Sequence, residues 1–118
     1  MITAMHALIY SEQADAVREY LRDKLDLPFV DSGGGWLIFA LPPAEVAVHP
    51  TDGDTRHELF LMCDDLEATM AQLSAKGVEF TGDVREQDWG RETAIKLPDG
   101  STLGLYQPLH PTAHNLPR

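Results

Sequence analysis

Residues 5–10 place Ala7 and Ile9 on one face of an extended chain and His6, Leu8 and Tyr10 on the other, which predicts a first strand. Ser11 offers a helix cap, and Ala14, Val17, Leu21 and Leu25 recur at helical spacing through about residue 25. Short apolar runs follow at Phe29-Val30, at 36–41 and at Val46-Ala47-Val48. Gly33-Gly34-Gly35 and Pro42-Pro43 separate them as turns. The front half thus predicts β-α-β-β-β.

The back half predicts the same order. A strand at 57–62 is followed by Asp64 with Glu67 three residues on, a box-like helix cap. Leu66, Met70 and Leu73 form the apolar stripe, and Gly77 supplies the left-handed stop. Further strands are expected at 78–81, 93–97 and 102–106, with Pro98-Asp99-Gly100 turning the last pair. His57-Glu58-Leu59-Phe60-Leu61 aligns with His6-Ala7-Leu8-Ile9-Tyr10 at an offset of 51, and Val78-Glu79-Phe80 aligns with Leu27-Pro28-Phe29 without a gap. A repeat of this size is one supersecondary unit used twice. Two like half-sites facing each other bring a pair of histidines around one cavity.

At 118 residues the expectation is a single domain spanning 1–118, with module 1 about 5–50, module 2 about 57–108 and a proline-rich arm at 109–118. A formal net charge of −10 argues against nucleic acid and anionic membrane surfaces, and favours a cation or a neutral small molecule. Cys63, the one cysteine, reads as a small buried hydrophobe rather than a reactive thiol. With no apolar run near 18 residues and no signal-peptide pattern, a soluble, cytoplasmic protein is expected.

His6 in the first strand, His57-Glu58-Leu59 opening the second unit, Asp65-Leu66-Glu67-Ala68 entering the helix and Leu97-Pro98-Asp99-Gly100 before the last strand together resemble the vicinal oxygen chelate superfamily, which includes glyoxalases, bleomycin-resistance proteins and extradiol dioxygenases. The resemblance covers residues 5–108. It implies an α+β fold of two βαβββ modules in tandem, with curved mixed sheets enclosing a cavity, helices on the outer face, and a homodimer. It also implies, for metal-dependent members, a divalent ion held by first-strand and last-strand residues of each unit. His6 and His57 stand at the first-strand positions, but the last-strand positions carry Ala47 and Gly104 in place of carboxylates.

Alternation keeps other donors on that face. With Val46 and Val48 packed under the helix, Glu45 and His49 face the cavity beside Ala47. The candidate metal set is therefore His6, His57, His49 and Glu45, of types that suit zinc, nickel, manganese or iron(II). Glu45 and Tyr106 are the candidate catalytic groups, with Glu92 a second possible base. Trp36, Trp89, Arg91 and Tyr10 are the candidate substrate contacts, because aromatics near a cavity mouth stack on flat ligands and a cation meets an anionic oxygen. His110 and His114 read as surface residues, since Pro111 prevents a helix from aligning them.

Two functions follow from the resemblance. One is a metal-dependent lyase, isomerase or dioxygenase acting on a small molecule. The other is a metal-free protein that binds or sequesters a small aromatic or cationic compound, as bleomycin-resistance proteins do.

Overall fold

The back half of the chain builds a complete sheet, while the front half contributes one helix and a small hairpin. The computed structural model describes residues 6–48, 50, 52–53 and 57–116. Its element order is α1 (Ala14–Asp23), β1 (Phe29–Asp31), β2 (Leu37–Phe39), β3 (Phe60–Met62), α2 (Leu66–Ala75), β4 (Phe80–Gln87), β5 (Gly90–Lys96) and β6 (Thr102–Pro108). Among the described residues, no helix is long and apolar enough to cross a membrane.

The expected β-α-β-β-β order appears in residues 60–108, in a four-stranded mixed sheet ordered β3-β6-β5-β4. β3 runs parallel to β6, and the other neighbours are antiparallel. Leu66 from α2 packs with Val78, Ile95, Leu97, Leu103 and Leu105 in the buried core. Tyr20 and Leu25 from the front half pack against this core.

Asp65, one residue later than expected, caps α2: its carboxylate accepts from the Ala68 amide at 3.0 Å. Glu67 instead pairs with Arg91. Gly77, with φ +88°, ends the helix where a side chain would be strained. The Lys24 ammonium crosses from α1 to the Lys76 carbonyl at 2.6 Å, placing a cation on the carbonyl end of α2. Ser11 is not the cap of α1, whose N-cap is Gln13; its hydroxyl accepts from the Gln13 amide and donates to Asp99 in the Pro98-Asp99-Gly100 turn.

The front half departs from expectation in two places. Residues 6–10 and 41–48 are not in strands, and among the described residues β1 pairs only with β2. Val46 and Val48, expected under the helix, are 81% and 94% exposed. A strand needs a neighbour to take its amides and carbonyls. In the back half β6 takes β3, whereas these front-half segments pair with nothing described in their own chain.

Candidate functional site

The face of the sheet turned away from α2 carries the chemistry. Alternation sends Leu61, Ile95, Leu103 and Leu105 to the core, and sends Phe60 of β3, Gly104 and Tyr106 of β6, and Gly90 and Glu92 of β5 to the other side.

Two glycines seat the aromatics there. A Cβ at Gly104 would overlap the Phe60 ring, with Cε1 at 2.6 Å, and one at Gly90 would meet the Gln107 carbonyl at 2.7 Å and the Tyr106 ring at 3.0 Å. The rings thus occupy space that any other residue would fill. Tyr106 lies between Phe60 and Trp89, with centroids at 5.6 and 5.3 Å and steep interplanar angles; Phe60 and Trp89 stand 6.2 Å apart. Edge-to-face packing suits the ring quadrupoles. Tyr106 is buried, whereas Trp89 and Phe60 are 37% and 39% exposed. Trp89 sits in the Asp88-Trp89 turn of the β4–β5 hairpin.

Glu92 is the buried charge of this face. It is 5% exposed, and its Oε1 accepts from Arg85 at 2.9 Å and Gln87 at 3.2 Å, both on β4. Its register partner on β6 is Tyr106.

The C-terminal arm closes one end. Leu109 donates to the Trp89 carbonyl at 2.9 Å. The His110 ring stacks on Tyr106 with centroids 6.0 Å apart, and its Nε2 lies 3.2 Å from the Tyr106 hydroxyl. Glu45 reaches this arm from the front half: Oε1 accepts from the Ala113 amide at 2.9 Å and lies 3.4 Å from His114 Nδ1, and Oε2 lies 4.0 Å from His110 Nε2. His110 and His114 are therefore half-buried partners of Glu45, which sequence reasoning missed because a proline-rich arm carries no periodic signal. The Ala113 amide, ahead of His114 and His110, holds the Glu45 carboxyl below its ordinary pKa. Burial, with the Glu45 charge, raises that of Tyr106.

A folded-state pKa below the unfolded one means this contact stabilises the arm above the ordinary carboxylate range and is lost as pH falls through the lowered value. We expect the Ala113 amide resonance to titrate with a midpoint below about 4.3, the ordinary Glu value, and this titration to vanish in Glu45→Gln. A midpoint at or above that value in the wild type would contradict the docked arm.

The other expected site residues are dispersed. His6, His57 and Tyr10 are exposed, and His49 lies outside the described residues. Trp36 carries the Arg18 guanidinium 4.6 Å from its ring centroid, within the front half. Arg91 points to the α2 side, where Glu67 and Glu86 take its guanidinium and raise its pKa. Burial raises the Cys63 thiol, which donates to the Tyr106 carbonyl.

No protein-family model matches the chain, and no curated protein sequence does. Among solved structures, TnmS3, an antibiotic binding protein from Streptomyces sp. CB03234, is 27% identical, with a TM-score of 0.62 over 92% of this chain and 98% of that one. A glyoxalase/bleomycin resistance protein from the same strain is 28% identical, with a TM-score of 0.54 over 82% and 92%. Structural neighbours of the chain are members of the glyoxalase/bleomycin resistance protein/dioxygenase superfamily, consistent with the vicinal oxygen chelate superfamily. A lactoylglutathione lyase from Agrobacterium tumefaciens shares the fold at 16% identity, with a TM-score of 0.63 over 89% of this chain and 92% of that one.

The superfamily's divalent metal does not fit the described donors. Gly104 stands at a position where members carry a ligand, and Phe60 fills the space that a side chain there would need. Glu45 is engaged by the arm. Among the described residues, no three His, Cys, Asp or Glu side chains gather to hold an ion.

Proposed function

We propose that this protein binds a flat aromatic small molecule on the uncovered sheet face, without a metal. The observation that carries this reading is the Phe60–Tyr106–Trp89 cluster, seated on Gly104 and Gly90, with two of its rings more than a third exposed. A π-face next to solvent gains both hydrophobic burial and ring–ring contact when a planar ligand covers it. The 27% likeness to an antibiotic binding protein supports sequestration over turnover. The alternative is a metal-dependent lyase, isomerase or dioxygenase using His6, His57, His49 and Glu45, and the packing of Phe60 on Gly104 counts against it.

The working form of this reading is a homodimer. Leu8, Ile9, Tyr10, Val46 and Val48 are exposed on segments that have no strand partner among the described residues of their own chain. A second copy supplies such partners and covers that apolar surface.

Titrating the protein with a neutral tricycle such as 9,10-anthraquinone, with tryptophan fluorescence as readout, tests this. Saturable quenching is expected in the wild type, with at least about tenfold weaker binding in Trp89→Ala. Sedimentation in the same buffer is expected to give twice the mass of one chain. No saturable quenching overturns the reading. Binding that appears only with added zinc, nickel, manganese or iron(II) and disappears with EDTA would install the metal-dependent reading in its place.

A further inference from the structure

We infer that Glu92 is a specificity-determining anchor that selects a planar ligand bearing a cationic nitrogen at its edge, an inference that rests on the stacking face proposed above. Glu92 sits on the same face as the aromatic cluster, in register with Tyr106, one strand in from β4. Its side chain is only 6% exposed, and among the described residues both of its partners, Arg85 and Gln87, fall on Oε1. Both donors fall on Oε1, so Oε2 is the oxygen that a donor entering the face would meet.

The charge balance favours a cation. Arg85 is 72% exposed on its side chain, so water and salt screen its charge, while the Glu92 charge is shielded from both. The pair therefore presents a net negative end to a ligand lying over Tyr106. Glu45, 4.0 Å from His110 Nε2 at the arm side of Tyr106, adds a second carboxylate, and the chain as a whole carries −10. An ammonium or amidinium donor reaching Oε2 makes a charge-assisted hydrogen bond where little water competes. A planar anion would face the same carboxylate unpaired.

Three tricyclic probes of similar area separate anchor from stack: 9-aminoacridinium, neutral 9,10-anthraquinone and anthraquinone-2-sulfonate, each titrated by fluorescence at pH 7. In the wild type the cation is expected to bind about tenfold tighter than the neutral ring, and the sulfonate weaker than either. Glu92→Gln keeps the shape and is expected to remove the preference for the cation while moving anthraquinone less than about twofold. Arg85→Gln, which removes the competing cation and leaves the neutral Gln87 amide on Oε1, is expected to strengthen cation binding severalfold. If all three probes shift by one common factor in Glu92→Gln, or if Arg85→Gln weakens the cation, Glu92 is only a partner of Arg85 and the anchor is refuted. If none of the probes binds the wild type, the stacking face itself fails and the anchor falls with it.

Discussion

Ile95→Ala is expected to lower the unfolding free energy by about 2–5 kcal/mol. Ile95 is fully buried in β5, between β6 and β4, with Leu66, Val78, Leu97, Leu103 and Leu105 around it. Truncation removes Cγ1, Cγ2 and Cδ1, which pack among residues of α2 and the neighbouring strand, and the sheet cannot close the void because hydrogen bonds on both sides fix β5. Urea unfolding should show the midpoint falling with little change in slope, since the exposed surface is nearly the same. A loss of less than about 1 kcal/mol would mean that this core is not the centre of stability.

Gly104→Glu, which writes a carboxylate where metal-binding relatives carry one, is expected to destabilise the fold by about 1–3 kcal/mol or more and to abolish binding of planar ligands. The new Cβ overlaps the Phe60 ring. Phe60 must then swing out and lose its edge contacts with Tyr106 and Trp89. Phe60→Ala vacates that space, so the double variant should be more stable than the sum of the two single losses predicts, with a coupling of about 0.5–3 kcal/mol. Strict additivity in the cycle, read by thermal melts and near-ultraviolet circular dichroism, would show that the two positions do not compete.

The β-α-β-β-β order of the back half was legible because a buried strand and an amphipathic helix impose periods of 2 and 3.6 on any chain that forms them. The cap, stripe and glycine stop of α2 were visible for that reason, with Asp65 rather than Asp64 as the cap only because neighbouring acids are equivalent at this level. β4 was read short. It is an edge strand, and beyond Thr81 its residues are polar on both faces except for Val84, so no alternation marks it. The charged side chains there are the usual protection of an open edge. With β4 extending to Gln87, Trp89 falls in the hairpin turn.

The site was less legible than the fold. Tyr106, Trp89 and Glu45 carry chemistry by residue type and were singled out. Phe60 was not singled out, since Leu59 to Cys63 is uniformly apolar and only the register against Gly104 shows that its ring faces away from the core. The pairing of Glu45 with Ala113 and His114 spans 68 and 69 positions and follows no period. Arg91 looked like a free cation near a cavity mouth, but one-residue alternation places it on the α2 side.

The uneven division of the sheet also bears on synthesis. A chain made from its N-terminus presents Leu8, Ile9, Trp36, Ile38 and Val46 before residues 60–108, which hold the four-stranded sheet, exist. The early half has one helix and a two-stranded ribbon to bury its apolar groups, and such a ribbon is marginal alone. Against this interval of exposure, acids outnumber basic residues 19 to 9 along the chain, so two nascent copies repel each other while their apolar stretches are still bare.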